Sequence, residues 1–280
     1  MIEHRLRMGD RDVLLLEGPA GWGECSPLPG YPCDPARARD AAEKAARDGW
    51  PAPVRSRIPV NGLVSASGSS LEQLRGLPCV KVKVGARPWR DDVARVREVR
   101  DLIGPAVGLR VDANGAWDEE TALDALDAMA ACDLELAEQP VATIDGLARL
   151  RRRVTVPIAA DECVRSVDDA QRLAAIDAAD AVVLKVQPLG GVRAALDVAD
   201  AAGVPALVTS MYETSIGIAA GVALAAALPE LPYACGLATL DMIAGDVVAE
   251  PLRPVDGALT VPTRPPTPDP ALIARYAVQS

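Results

Sequence analysis

The chain has 280 residues and a formal net charge of −10; half of it is hydrophobic, but Phe is absent. That length accommodates an eight-stranded α/β barrel of about 250 residues with a modest extra domain, and the acidic balance argues against nucleic acid or an anionic membrane surface as a partner. The single histidine, His4, leaves Ser-His-Asp chemistry and histidine-rich zinc sites almost nothing to work with.

Residues 1–25 alternate polar and apolar around the turn Gly18-Pro19-Ala20-Gly21 and predict a small antiparallel meander. SPLPGYP (26–32) reads as a loop, and PARARDAAEKAARDG (35–49) as a helix with a glycine stop. This α+β segment, residues 1–56, is expected to form a small capping domain. From Arg57 the pattern changes to eight strand candidates: RIPVNGLV, PCVKVKV, AVGLRVD, DLELAE, VPIAAD, AVVLKV, PALVTS and PYACGL. Helical stretches at 91–103, 118–131, 167–176 and 191–203 fall between them, with Asp118 and Ser166 as N-caps and Gly203 as a C-cap. Alternation of this kind predicts a parallel sheet, and eight strands a closed barrel over 57–250. The first crossover, SASGSSLEQLRGL, is short and expected to be irregular, with SASGSS a flexible connection rather than a phosphate site. The apolar run IGIAAGVALAAAL (216–228) has 13 residues, below the roughly 20 of a membrane span, and reads as a buried helix. The proline-rich tail, 251–280, is expected to run back onto the N-terminal segment. MIEHRLRMGD lacks an apolar signal core, and six cysteines without a CxxC pair suit a reducing compartment, so a cytoplasmic location is expected. Oligomeric state stays open between monomer and homo-oligomer.

Charged residues punctuate the strand ends. Lys83 is followed by Asp112, Glu138, Asp161 and Lys185 at intervals of 29, 26, 23 and 24 residues, each the length of one βα unit. In a barrel, strands 2 and 6 lie opposite, so Lys83 and Lys185 should face each other with the three carboxylates on the arc between them. Three clustered carboxylates raise one another's pKa unless a cation intervenes, and oxygen-only ligands favour Mg²⁺, with Mn²⁺ as a substitute. Beside that cation the lysines should have lowered pKa values, one becoming a base near neutrality. The set suits removal of a weakly acidic proton next to a carboxylate. Period-2 parity puts Lys81 on the face of Lys83 and Arg110 on that of Asp112, one layer deeper, where they would orient the ligands; Arg110 could pair with Glu138 or another acid. Singly, each of these residues has a plainer reading as a strand-end cap or solvated edge. Gly190-Gly191 could cradle an anion or simply turn the chain.

VKVKV, RVDAN, AEQP, AADE and LKVQPLGG together resemble the enolase superfamily, in particular its muconate-lactonizing subgroup. GWGECSPLPGYP and ACGLATLDMIAGDVV look most like its o-succinylbenzoate synthase family of the short actinobacterial type. The resemblance implies a modified (β/α)8 barrel, TIM-like and written (β/α)7β, with an N-terminal α+β cap, acting on a small-molecule carboxylate. It implies Mg²⁺ on Asp112, Glu138 and Asp161, with Lys83 as base and Lys185 as charge stabiliser. Asn114 and Glu162 would stand just outside the metal ligands. Ser210, Gly236, Pro29 and Tyr31 would lie by the substrate, Pro27 to Tyr31 forming the capping loop. The implied reaction is a syn dehydration yielding o-succinylbenzoate. An N-acyl amino acid racemase or dipeptide epimerase on the same scaffold is a second reading, and a non-catalytic metal- or ligand-binding barrel a third. The N-terminal domain and the loop after its first helix are shorter than is usual in the superfamily, which implies a smaller or more open pocket.

Overall fold

A computed structural model describes residues 1–65 and 74–278, so most of the first crossover, including 66–70 of the SASGSS connection, lies outside the described residues. The chain divides into two compact units. One comprises 1–59, 184–198 and 208–280, and the other 60–183 and 199–207.

In the first unit, β1 (Ile2–Met8), β2 (Arg11–Gly18) and β3 (Gly21–Cys25) form the expected meander. The helix α1 (Pro35–Asp48) packs on it. Asp34 caps α1 by accepting from Ala36 N at 2.9 Å, and its buried face is all alanine: 38, 41, 42, 45 and 46. Alanine lets helix and strand approach closely, and Gly23 completes that approach. A Cβ there would overlap Ala42 O and stand 2.7 Å from its carbonyl carbon. Backbone cannot yield as a side chain tip can, so Gly23→Ala is expected to cost about 3 kcal/mol in urea unfolding.

RIPVNGLV, read as one strand, is two. Arg57–Pro59 is β4 and Asn61–Val64 is β5. β4 pairs antiparallel with β12 (Ala258–Thr260), whereas β5 pairs in parallel with the next strand. Apolar alternation continues through Val60, so the break left no mark in the pattern.

The second unit holds a seven-stranded parallel sheet in chain order: β5, β6 (Cys79–Lys83), β7 (Gly108–Asp112), β8 (Leu136–Glu138), β9 (Ile158–Ala160), β10 (Ala181–Leu184) and β11 (Ala206–Val208). The helices α2 (Trp89–Ile103), α3 (Glu119–Ala128), α4 (Ile144–Arg151) and α5 (Val167–Ala175) alternate with the strands, and α6 (Val186–Leu189) and α7 (Val192–Ala202) follow β10. Asp118 and Ser166 cap as expected, accepting from Thr121 N at 2.8 Å and Asp169 N at 3.1 Å. Gly203, at φ +63°, ends α7. The eighth candidate, PYACGL, is not a strand. Its Gly236 bridges to Thr209, with Gly236 N on Val208 O at 2.9 Å and Ser210 N on Gly236 O at 3.0 Å, and Cys235 N bonds Pro59 O at 2.8 Å. The eighth position is thus held by isolated bridges rather than by a strand ladder.

Residues 216–227 of the apolar run lie in α8 (Ser215–Ala227), which is buried almost throughout and packs on β3, β4 and α6. Among the described residues no helix is long and apolar enough to cross a membrane. The tail carries α9 (Pro270–Tyr276), and Val278 N donates to Arg5 O at 3.0 Å.

Candidate active site

Register brings the charged residues of the second unit side by side. Lys81 pairs with Arg110, Lys83 with Asp112, and Asp112 with Glu138. Asp161 follows the last residue of β9 directly. Asp112, Glu138 and Asp161 are each at most 2% exposed, and buried carboxylates demand compensation. Lys81 Nζ supplies it at 2.9 and 3.1 Å from the two oxygens of Glu138 and 3.0 Å from Asp112. Lys83 Nζ lies 2.6 Å from Asp112 Oδ2 and 2.8 Å from Asn114 Oδ1.

The surroundings of Lys81 and Lys83 shift both amines. Burial alone would depress both, but for Lys83 the charge of Asp112, and for Lys81 those of Asp112 and Glu138, outweigh it and raise them. Burial pushes Asp112 up less than Lys81 and Lys83 pull it down, so its carboxyl sits well below the usual range. In this arrangement Lys81 and Lys83 are themselves counter-charges to Asp112, and Lys81 to Glu138.

Among the described residues, no three Asp, Glu, Cys or His side chains converge closely enough to hold a metal ion as they stand. Lys81 sits between Asp112 and Glu138 instead. The donor set nonetheless suits a hard divalent cation: three buried carboxylates at the ends of three adjacent strands about 4.8 Å apart.

Arg110 is fully buried and donates from Nε to Glu135 at 2.5 Å, one of the pairings open to it. Asn114, at φ +48°, donates to Glu162 Oε1 at 2.8 Å while its backbone N binds Asp112 Oδ1 at 3.0 Å. Gln139 was missed. It is buried at φ +39°, and its Oε1 accepts from Asp161 N at 2.7 Å and from Cys163 N while Nε2 donates to Val141 O. It therefore holds the Asp161 backbone; the signal was its place directly after Glu138 in AEQP.

The remaining candidates lie in the first unit. Lys185 N-caps α6, its Nζ 4.7 Å from the centre of the Tyr31 ring. Pro29 lies in the loop whose turn is closed by Tyr31 N on Leu28 O. Ser210 Oγ shares a 2.6 Å hydrogen bond with Thr239, and Ser210 N donates to Gly236 O. Gly190, at φ +82°, caps α6, and Gly191 bonds back to Val186 O, so the pair turns the chain.

Sequence reading also overlooked a buried acid pair. Glu24 on β3 accepts from Ser26 Oγ, Thr214 N, Thr214 Oγ1 and Gly217 N. Glu213 accepts from Met211 N at 2.7 Å and Gln187 Nε2 at 2.9 Å. Burial, and then the charge of Glu24, push Glu213 up to about 7. The folded state thus holds a proton that the unfolded chain releases near the ordinary value of 4.5. Stability from this group is full below about pH 4.5 and declines as pH rises to about 7, by on the order of 3 kcal/mol. Glu24, raised by burial against its hydrogen bonds, adds a slope of the same sign. Urea unfolding from pH 5 to 8 should show it, and Glu213→Gln should flatten it.

Two family models match the chain: an enolase N-terminal domain-like model over residues 3–46 and an enolase C-terminal domain-like model over 68–265. The chain is 53% identical over 258 residues to an o-succinylbenzoate synthase of Thermobifida fusca, covering 90% of this chain and 81% of that protein. It is 46% identical over 277 residues to one of Mycolicibacterium smegmatis, covering 95% and 84%. Among solved structures, muconate lactonizing enzyme from Pseudomonas putida superposes with a TM-score of 0.81 at 26% identity, covering 99% of this chain and 98% of that one. Muconate cycloisomerase from Pseudomonas fluorescens gives 0.85 at 24% identity, covering 99% and 97%, a likeness of fold.

Proposed function

We propose, from the premise that this chain belongs to the enolase superfamily, that it is an o-succinylbenzoate synthase, a carbon–oxygen lyase acting in the cytoplasm on the way to menaquinone. The observation that carries the reading is 53% identity over 90% of the chain to an o-succinylbenzoate synthase, together with Lys83, Asp112 and Glu138 in register on adjacent strands and Asp161 directly after the next one. Those relatives favour dehydration over the racemase and the binding-protein readings. The substrate would be 2-succinyl-6-hydroxy-2,4-cyclohexadiene-1-carboxylate.

Asp112, Glu138 and Asp161 would hold Mg²⁺. When bound, it supplies positive charge for the developing enediolate and relieves the lysines of the carboxylates' field. Lys83 Nζ, steered by Asp112 and Asn114, removes the proton from the carbon bearing the carboxylate. The same Nζ returns that proton to the hydroxyl leaving from the same face, so water departs, the ring becomes aromatic and the base is regenerated. Lys185, as an ammonium, compensates the enediolate charge. Lys81 keeps Glu138 and Asp112 in place. Tyr31 and Pro29 on the capping loop, with Ser210 and Gly236, would border the substrate.

The test is direct. Purified protein with Mg²⁺ and the cyclohexadiene substrate should release o-succinylbenzoate, and excess chelator should abolish the release. Absence of product, with the substrate intact and the protein folded, removes the assignment.

A further inference from the structure

We propose that Gln187 is the positioning residue for Lys185, and that it couples Lys185 to the 26–32 loop. The proposal rests on the reading of Lys185 as the charge stabiliser.

Lys185 is the N-cap of a single-turn helix, α6, closed at Gly190. A four-residue helix has little stability of its own, so what holds α6 also aims Lys185. Gln187, two residues on and 2% exposed, has both ends of its amide engaged. Its Oε1 accepts from Ser26 N at 2.8 Å, while Nε2 donates to Glu213 Oε1 at 2.9 Å and Ser26 Oγ at 3.3 Å. The amide cannot flip, because either exchange would set donor against donor or acceptor against acceptor. One side chain therefore fixes α6 against the end of β3 and the approach to α8.

Ser26 begins the loop that carries Tyr31, and the Tyr31 ring lies over Lys185 Nζ at 4.7 Å, within cation–π range. The ammonium is thus held from two directions that meet at Ser26: through its backbone by Gln187, and at its tip by Tyr31. Ser26 is in turn anchored by Glu24 at 2.6 Å. Displacement of the loop would reach Lys185 by both routes. Nothing in the proton-transfer scheme uses Gln187, yet it is buried and fully bonded within a polar cluster, where an apolar residue of like size would pack without needing partners.

The experiment measures acetylation of Lys185 by acetic anhydride, read by peptide mass spectrometry against the Met1 α-amine, with kcat and KM alongside. Gln187→Met, of similar volume, and Tyr31→Leu should each raise the Lys185 rate about fivefold or more. Tyr31→Phe, which keeps the ring, should leave it within twofold. Gln187→Met should lower kcat about tenfold with KM within twofold, as expected of a misaimed group. An unchanged Lys185 rate in Gln187→Met overturns the proposal, as does an equal rise in Tyr31→Phe. If Gln187→Met does not fold, Ser26→Ala, which deletes only a hydroxyl, replaces it under the same criteria. The labelling requires no turnover. A wild-type protein that forms no o-succinylbenzoate thus defeats the functional reading alone, and unchanged labelling defeats the positioning role alone.

Discussion

Lys83→Ala is expected to lower kcat for o-succinylbenzoate formation by about 10⁴-fold while leaving a folded protein, since positioned proton transfer contributes about 10²–10⁴-fold and here one amine would serve both halves of the reaction. The Nζ of Lys83 is set by Asp112 at 2.6 Å and Asn114 at 2.8 Å. No neighbour can substitute: Lys81 on the same strand is buried and bound to both Glu138 oxygens and to Asp112. Asp112 would keep Lys81 as its counter-charge, so the stability cost should be about 1–2 kcal/mol, read from the urea midpoint. Lys83→Arg separates base from charge. A guanidinium retains the ion pair but does not give up its proton near neutrality, so this variant should be as stable as wild type and nearly as inactive as Lys83→Ala. Activity within tenfold of wild type in Lys83→Ala would assign the base elsewhere.

Lys81→Met should be the most destabilising single change in the acidic row, at about 3–5 kcal/mol in metal-free protein, the cost of breaking a buried ion pair by deleting one partner. Deletion leaves Glu138 and Asp112, both essentially inaccessible, with Lys83 as the nearest of the named counter-charges. Two solution variables should reveal the cause. In the wild type, Asp112 is held below its usual range, so its contribution is present above about pH 4 and lost as pH falls further. Without Lys81 that contribution shrinks, and the gap between variant and wild type should narrow below pH 4. Added Mg²⁺ should stabilise the variant more than the wild type, because the carboxylates regain a counter-charge. Saturation to about 100 times Kd corresponds to about 2.7 kcal/mol. Urea titrations at pH 3.5 and 7, with and without Mg²⁺, measure all of this. Equal unfolding midpoints for variant and wild type at pH 7 would show that Lys81 is not the compensating charge.

The strand-end charges were legible because the βα unit has a narrow length range and strand parity is strict. Asp112, Glu138 and Lys83 fall where counting placed them, each on the last residue of its strand. AEQP pointed to Gln139 but not to its role, because a glutamine's role depends on what its amide meets, and its partners include Asp161 N and Cys163 N, more than 20 residues away. The break at Val60 escaped for a related reason. Apolar alternation reports burial, and Ile58, Val60 and Val64 are all buried across the break, so a change of pairing partner leaves the pattern unaltered. The eighth candidate reflects the same limit, since PYACGL has strand composition but meets Pro59, Val208 and Ser210 through isolated bonds rather than a ladder.

Composition and periodicity by themselves determined the meander, the run of parallel strands, the caps at Asp118 and Ser166, and the identity and order of the charged row. These follow from local geometry: period 2 in strands, period 3.6 in helices and a hydroxyl or carboxylate at a helix start. The tertiary structure alone decided which acids Lys81 and Lys83 meet, the union of Glu24 with Glu213, and the double grip of Gln187. Each depends on the distance between groups remote in the chain, and Coulomb and hydrogen-bond energies are functions of that distance, which no spacing along the sequence specifies.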